Sequence, residues 1–215
     1  MDVRRQRLQT ARLYLVCDDR PDEFIYAALR GGVDILQLRI KDGDDEAIVG
    51  AARRFAAACE RHNALFILND RPDLMHTAGA VGVHLGQDDM PVAKARAIVG
   101  ADGLIGLSTH TPEQVGGAEG VDYIGVGPVN ETPTKPGRPA VGLELVRYAA
   151  ANASVPFFAI GGISTANGGE VRAAGAERIS VVRALTQASD PERAARELRA
   201  LVTDPDQGGA RVGST

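Results

Sequence analysis

Short apolar runs recur along the chain at 12–17, 34–39, 64–69, 82–85, 103–107, 122–126, 156–160 and 178–182. Between them lie segments with helical periodicity. In 46–61, for example, Ile48, Val49, Ala52, Phe55, Ala56 and Cys59 recur at spacings that place them on one face. The pairs Gly31-Gly32, Ala78-Gly79 and Ala174-Gly175 stand before the next apolar run and read as helix ends. Strands that alternate with helices pair in parallel through crossovers. Eight such units in this length predict a single-domain α/β fold, a closed TIM (β/α)8 barrel, over an open doubly wound sheet. The absence of a G-x-G-x-x-G after the first strand weakens the dinucleotide-binding alternative. The barrel is expected to occupy residues 12–203, with an N-terminal extension at 1–11 and a flexible Gly-, Ser- and Asp-rich tail at 204–215.

Composition narrows the function classes. The chain has 215 residues, 44% apolar, enough for one sizeable core. A net charge of −4 and a pI near 5.6 argue against general binding to nucleic acid or membrane surfaces. Arg4, Arg5, Arg7 and Arg12 make the N-terminus basic, but the apolar run that follows is too short for a signal segment or a membrane span. Two cysteines, Cys17 and Cys59, provide neither a disulfide framework nor a zinc cluster. A soluble, cytoplasmic protein is expected, and a homo-oligomer is compatible with the sequence.

In such a barrel, chemistry sits at the strand C-termini and the loops after them. Unusual polar residues fall there. After the second strand, alternation puts Gln37, Arg39 and Lys41 on one face, opposite Leu36, Leu38 and Ile40. Inward-facing cations call for an anion. The third strand ends in Asn69-Asp70 and the fourth leads to Asp88-Asp89. Carboxylates from neighbouring strands can converge on a hard cation, and oxygen ligation favours Mg²⁺ or Mn²⁺ over zinc. A helix N-cap is the alternative for any one of them, Asp88 in particular, and Asp73 reads as a surface residue. The fifth strand ends in Ser108, whose hydroxyl can orient a heteroaromatic ring or a phosphate; His110 is either a base or a neighbour of the helix start at Thr111-Pro112-Glu113. His62 and His76 read as exposed, and His84 as structural.

The stretch GVGPVNETPTKPGRPAVG at 125–142 has too many prolines and glycines for regular structure. Thr132, Thr134 and Lys135, with loop amides, suit an anion such as phosphate. The glycines Gly161-Gly162 after the seventh strand, and Val182-Arg183 after the eighth, match the phosphate site recurrent in these barrels. One phosphate site at strands six to eight, facing an anion and metal site at strands two to four, suggests a transferase with a diphosphate leaving group.

The segments QLRIKD at 37–42, NDRPD at 69–73, GVHLGQDD at 82–89, GLSTH at 106–110, the loop through 142, and AIGGIS at 159–164 together resemble the thiamine phosphate synthase (thiamine phosphate pyrophosphorylase) family, across roughly residues 12–200. The resemblance implies that hydroxymethylpyrimidine diphosphate and a thiazole phosphate, or its carboxylate, join to thiamine phosphate with release of diphosphate. It implies that Gln37, Arg39, Lys41 and Asn69 bind the pyrimidine diphosphate, that Asp70 and Asp89 hold Mg²⁺, and that Ser108 meets the pyrimidine. Lys135 would contact the diphosphate, with Arg39 and Lys41 as the other catalytic cations. Thr132, Thr134, Gly162 and the Val182-Arg183 backbone would receive the thiazole phosphate. Three places depart from the family pattern: Glu177-Arg178, Arg183 where a serine is usual, and the polar Asn130-Glu131. The alternatives are a thiazole tautomerase on the same barrel, a non-catalytic phosphate-ligand binder, and a phosphosugar isomerase or epimerase; the full diphosphate set argues against the first.

Overall fold

The computed structural model describes residues 2–132 and 139–203. Thr134, Lys135 and the expected tail at 204–215 lie outside the described residues. Eight strands, β1 (Leu13–Cys17), β2 (Ile35–Leu38), β3 (Leu65–Asn69), β4 (Gly82–Leu85), β5 (Leu104–Thr109), β6 (Tyr123–Val126), β7 (Phe157–Ile160) and β8 (Ile179–Val181), close into a barrel in sequence order. All neighbouring pairs are parallel, and β1 closes the ring by pairing Leu13, Tyr14 and Leu15 with Ile179, Ser180 and Val181. The barrel read from the apolar runs is therefore the fold.

Every residue of β1, β2 and β6 is buried, as expected for parallel strands covered on both faces. One set of alternate residues packs outward. Leu13, Leu15, Leu36, Leu38, Phe66, Leu68, Val83, Ile105 and Ile124 join Ile25, Phe55 and Leu198 from α2 (Asp22–Arg30), α3 (Asp45–Arg61) and α9 (Pro191–Thr203) in one core. The other set fills the interior: Tyr14, Ile35, Leu65, Ile67, Leu104, Tyr123 and Phe158. Tyr14, Tyr123 and Phe158 meet edge to face, with ring centroids 5.3–5.9 Å apart.

The crossovers are uneven. The helices α4 (Val92–Val99), α5 (Pro112–Gly116), α6 (Gly142–Asn152), α7 (Gly168–Ala173) and α8 (Arg183–Thr186) complete the ring with α2, α3 and α9. Between β3 and β4 the expected helix is replaced by one 3₁₀ turn, Pro72–Leu74, and further turns. The twelve residues between Asn69 and Gly82 are too few for a full crossover helix with its two connecting loops, and Pro72 and Gly79 interrupt them.

The N-terminal residues form α1 (Val3–Thr10), which lies under the barrel and inserts Leu8 into the floor of the interior cluster. Its arginines grip the strand starts: Arg5 Nε donates to Asp122 Oδ1 at 2.8 Å and Arg5 Nη2 to the Ala101 carbonyl at 2.8 Å. The cavities lie at the opposite, C-terminal end.

Candidate active site

Two connected lobes open at the C-terminal end of the barrel. The larger, about 390 Å³, is lined by Tyr14, Gln37, Phe158, Ile160, Gly161, Gly162, Thr132, Val182 and Arg183, among others. The smaller, about 290 Å³, is lined by Lys41, Asp70, Gly86, Gln87, Asp88 and Asp89. Arg39, Asn69, His84 and Ser108 border both lobes and so mark their junction.

The smaller lobe is built by two strand ends. The Asp70 amide donates to the His84 carbonyl at 2.9 Å, extending the β3–β4 ladder by one bond. There the backbone of Asp70 turns left-handed, with φ of +58°, a region that Asp and Asn enter more readily than most residues. That turn ends β3 and swings the carboxylate towards the loop after β4. In that loop the Asp89 carboxylate folds back to accept from the Gly86 amide at 2.6 Å. The two carboxylates thus come together. Burial, and then the adjoining Asp89 carboxylate, pushes the Asp70 carboxyl up to about 6, while the Asn69 amide and the Arg39 charge oppose the shift.

This pair is what a cation would meet. Among the described residues no group of three His, Cys, Asp or Glu gathers anywhere. Two carboxylates with open space beside them suit Mg²⁺, which keeps several waters and takes substrate phosphate oxygens rather than a full protein cage. Asp88 borders the same lobe. It is not the helix cap, because α4 begins after Pro91 with no side-chain cap bond.

The larger lobe is mostly apolar, with polar groups at defined points. Its far wall is the double glycine Gly161-Gly162, with φ of +107° and +61°. A Cβ on Gly161 would lie 2.5 Å from Pro128 Cα, so the β7 loop can pass under the β6 loop only without side chains. The two loops are then tied together, the Val129 amide donating to the Ile160 carbonyl at 2.8 Å and the Asn130 amide to the Gly161 carbonyl at 3.1 Å. The neck of the β6 loop is closed by the Val141 amide, which donates to the Pro128 carbonyl at 2.8 Å. Thr132 reaches the lobe from this neck.

The floor of the lobe carries polar side chains that sequence reasoning did not join. Gln37 Nε2 donates to the Tyr14 hydroxyl at 2.5 Å, and the Tyr14 and Tyr123 hydroxyls lie 2.9 Å apart. His84 Nδ1 is 3.3 Å from the Tyr123 hydroxyl and its Nε2 is 3.0 Å from Ser108 Oγ. His84, assigned no chemistry from the sequence, is therefore part of the cavity. Its alternation with Val83 and Leu85 in β4 was the available signal. Ser180 Oγ is also buried against this lobe, without a protein partner among the described residues.

A family model described as thiamine monophosphate synthase matches residues 13–185. The chain is 52% identical over 204 residues to a thiamine-phosphate synthase of Thermobifida fusca (strain YX), covering 91% of this chain and 94% of that one. It is 48% identical over 202 residues to a thiamine-phosphate synthase of Thermosynechococcus vestitus, where the match takes in 92% of this chain and 58% of the longer relative. Among solved structures, the thiamine phosphate pyrophosphorylase from Pyrococcus furiosus superposes with a TM-score of 0.83 at 33% identity, covering 92% and 96% of the two chains. The chain belongs to the thiamine monophosphate synthase family.

Of the residues assigned through that family, those among the described residues border the two lobes, and Thr134 and Lys135 lie outside the described residues. Gln37, Arg39, Asn69, Ser108, Thr132, Gly162, Val182 and Arg183 line the larger, and Arg39, Lys41, Asn69, Asp70, Asp89 and Ser108 the smaller. The departures from the family pattern separate by location. Glu177 and Arg178 sit at the closed end, where Arg178 Nη2 donates to the Gln9 carbonyl at 2.9 Å and Glu177 approaches Arg12 at 3.8 Å. They leave the cavity untouched. Asn130 and Arg183 do border the site, the first through its backbone bond to Gly161 and the second as an exposed cation at the rim. His110 also lines the larger lobe, its Nδ1 against the Gly127 carbonyl, while Thr111 caps α5 by accepting from the Gln114 amide at 3.3 Å.

Proposed function

We propose that this protein joins hydroxymethylpyrimidine diphosphate to a thiazole phosphate, or its carboxylate, giving thiamine phosphate and diphosphate. One observation carries the reading. A single cavity has a carboxylate pair and two cations at one end, and a wall of glycine backbone at the other, with a polar floor between them. An aminopyrimidine would lie over Gln37 and Ser108 with its diphosphate in the smaller lobe. The thiazole phosphate would lie against Gly162 and the Val182-Arg183 backbone, with Thr132. The two reacting centres then meet at the junction bordered by Arg39, Asn69, His84 and Ser108.

The electron-rich aminopyrimidine stabilises a benzylic-type cation, so the carbon–oxygen bond breaks first and the thiazole nitrogen then attacks the carbon. Arg39 and Lys41 hold the diphosphate and stabilise the charge that grows on its departing oxygen. Asp70 and Asp89 would hold Mg²⁺, which when bound supplies further charge neutralisation at the diphosphate. Lys135 and Thr134 are assigned to this chemistry from sequence alone. No side-chain nucleophile is required. Cys17 and Cys59 are buried in the outer core, and burial pushes the Cys17 thiol up to about 12.

The test is diphosphate release by the purified protein given both substrates, with Mg²⁺ or with EDTA, beside Asp89→Ala. Release should need both substrates and Mg²⁺, and should fall roughly 100-fold or more in the variant. Tautomerisation of the thiazole without diphosphate release, or ligand binding without turnover, would overturn the reading.

A further inference from the structure

Five side chains form a continuous chain across the inside of the barrel, from Gln37 through Tyr14, Tyr123 and His84 to Ser108. Its two ends are the residues that face the expected pyrimidine. Its middle belongs to the buried floor, where Tyr14 is 2% exposed and Tyr123 fully buried. Burial holds both phenols well above their ordinary range, so each keeps its proton.

A hydroxyl has one proton to give, and one common direction that starts from the Gln37 amide satisfies every link. In that direction the Tyr14 oxygen accepts from the Gln37 amide and the Tyr14 proton goes to Tyr123. The Tyr123 proton then goes to His84 Nδ1. In the same direction a neutral His84 carries its proton on Nε2 and donates it to Ser108 Oγ. The serine proton is left for the cavity. At the other end Gln37, its Nε2 engaged, keeps its Oε1 for the cavity. The competing arrangement keeps the Gln37 amide on Tyr14 but has Tyr14 accept from Tyr123 as well, and the His84 and Ser108 links then reverse with it.

We propose that this relay presets Gln37 as an acceptor and Ser108 as a donor, and so selects a ring that offers an amino N–H and a bare ring nitrogen. Resting on the substrate reading above, it makes Tyr14, Tyr123 and His84 positioning residues for an aminopyrimidine. The 4-oxo analogue turns the amine into a carbonyl and puts a proton on a ring nitrogen, which matches the reversed relay. A site built to hydrogen-bond one pattern leaves buried groups unpaired with the other.

Two measurements test it. In nitrogen-labelled free protein, a long-range proton–nitrogen spectrum reads which His84 nitrogen is protonated, with His84→Gln assigning the signal. A proton on Nε2 and a bare Nδ1 are expected; a proton on Nδ1 overturns the relay's direction. Calorimetry then compares the 4-amino and 4-oxo pyrimidine diphosphates in wild type and Tyr14→Phe, with inorganic diphosphate as the control ligand. Wild type should favour the amino form by roughly 100-fold or more, and Tyr14→Phe by roughly 10-fold or less, with diphosphate affinity unchanged. An equal preference in both proteins overturns the positioning role. Binding of neither pyrimidine to wild type would overturn the substrate reading, and the spectrum still decides the relay.

Discussion

The floor of the cavity depends on a missing side chain as much as on those present. A Cβ on Gly106 would lie 2.1 Å from Tyr123 Cζ and 2.4 Å from its hydroxyl oxygen. The ring and its hydroxyl occupy the volume that β5 leaves empty, and this is what brings the phenol between Tyr14 and His84. Gly106→Ala should therefore displace the Tyr123 ring, since neither β5 nor the packed aromatic cluster has room to yield. We expect a loss of about 1–3 kcal/mol in urea unfolding, typical of overpacking, together with weaker aminopyrimidine binding by calorimetry. Full stability with unchanged binding would mean that the cluster repacks without cost. The sequence shows Gly106 only as a glycine in a strand-like run. Its purpose depends on a partner seventeen residues away, which periodicity alone cannot identify. Gln37, Arg39 and Lys41 were easier to read, because alternation along one strand places them together without knowledge of the neighbours.

At the scale of elements, two aspartates repeat one device at the closed end. Asp34, just before β2, accepts from the Arg12 and Leu13 amides at 2.7 and 3.0 Å and pairs with Arg199. Asp122, just before β6, accepts from the Ile105 amide at 2.8 Å, from Arg96 at 2.7 Å and from Arg5 at 2.8 Å. Each carboxylate thus satisfies the start of the preceding strand and ties it to a helix. Asp122→Ala would leave a backbone donor and two guanidinium groups without this acceptor. A loss of about 2–3 kcal/mol is expected in chemical denaturation, with little change in substrate KM, because the site lies at the other end. A large rise in KM with stability intact would contradict that division. These locks explain what the sequence disclosed and what it hid. Apolar runs and intervening helical patterns were sufficient for eight strands in order. The replacement of a crossover helix by Pro72–Leu74, and the packing of α1 beneath the barrel, depend on contacts between distant segments.

For the molecule as a whole, the two ends of the barrel carry opposite demands. The closed end matches Asp34 and Asp122 with arginines and amides, whereas the open end holds Asp70 beside Asp89 with burial raising the first. Such a pair is poised for a cation and works against the fold when none is bound. The sign follows from the proton count. Asp70 ionises near 3.8 when unfolded and near about 6 when folded, so between those values the folded state holds the extra proton. Stability from this group is fully present at low pH, falls as pH rises through about 6, and the penalty is complete above it. Asp70→Asn removes the charge while keeping a residue that accepts the left-handed backbone and can still receive the Asn69 amide. In EDTA the variant should therefore melt above wild type at about pH 8, and the gap should shrink towards about pH 4. Calorimetric scans across that range check it, and a variant that melts lower at about pH 8 would mean that Asp70 stabilises the fold even without a cation. With Mg²⁺ and diphosphate added, wild type should gain more in melting temperature than the variant, since a ligand stabilises the folded state only as far as it binds it. Such a gain would mean that the ligands themselves offset the cost of holding Asp70 beside Asp89.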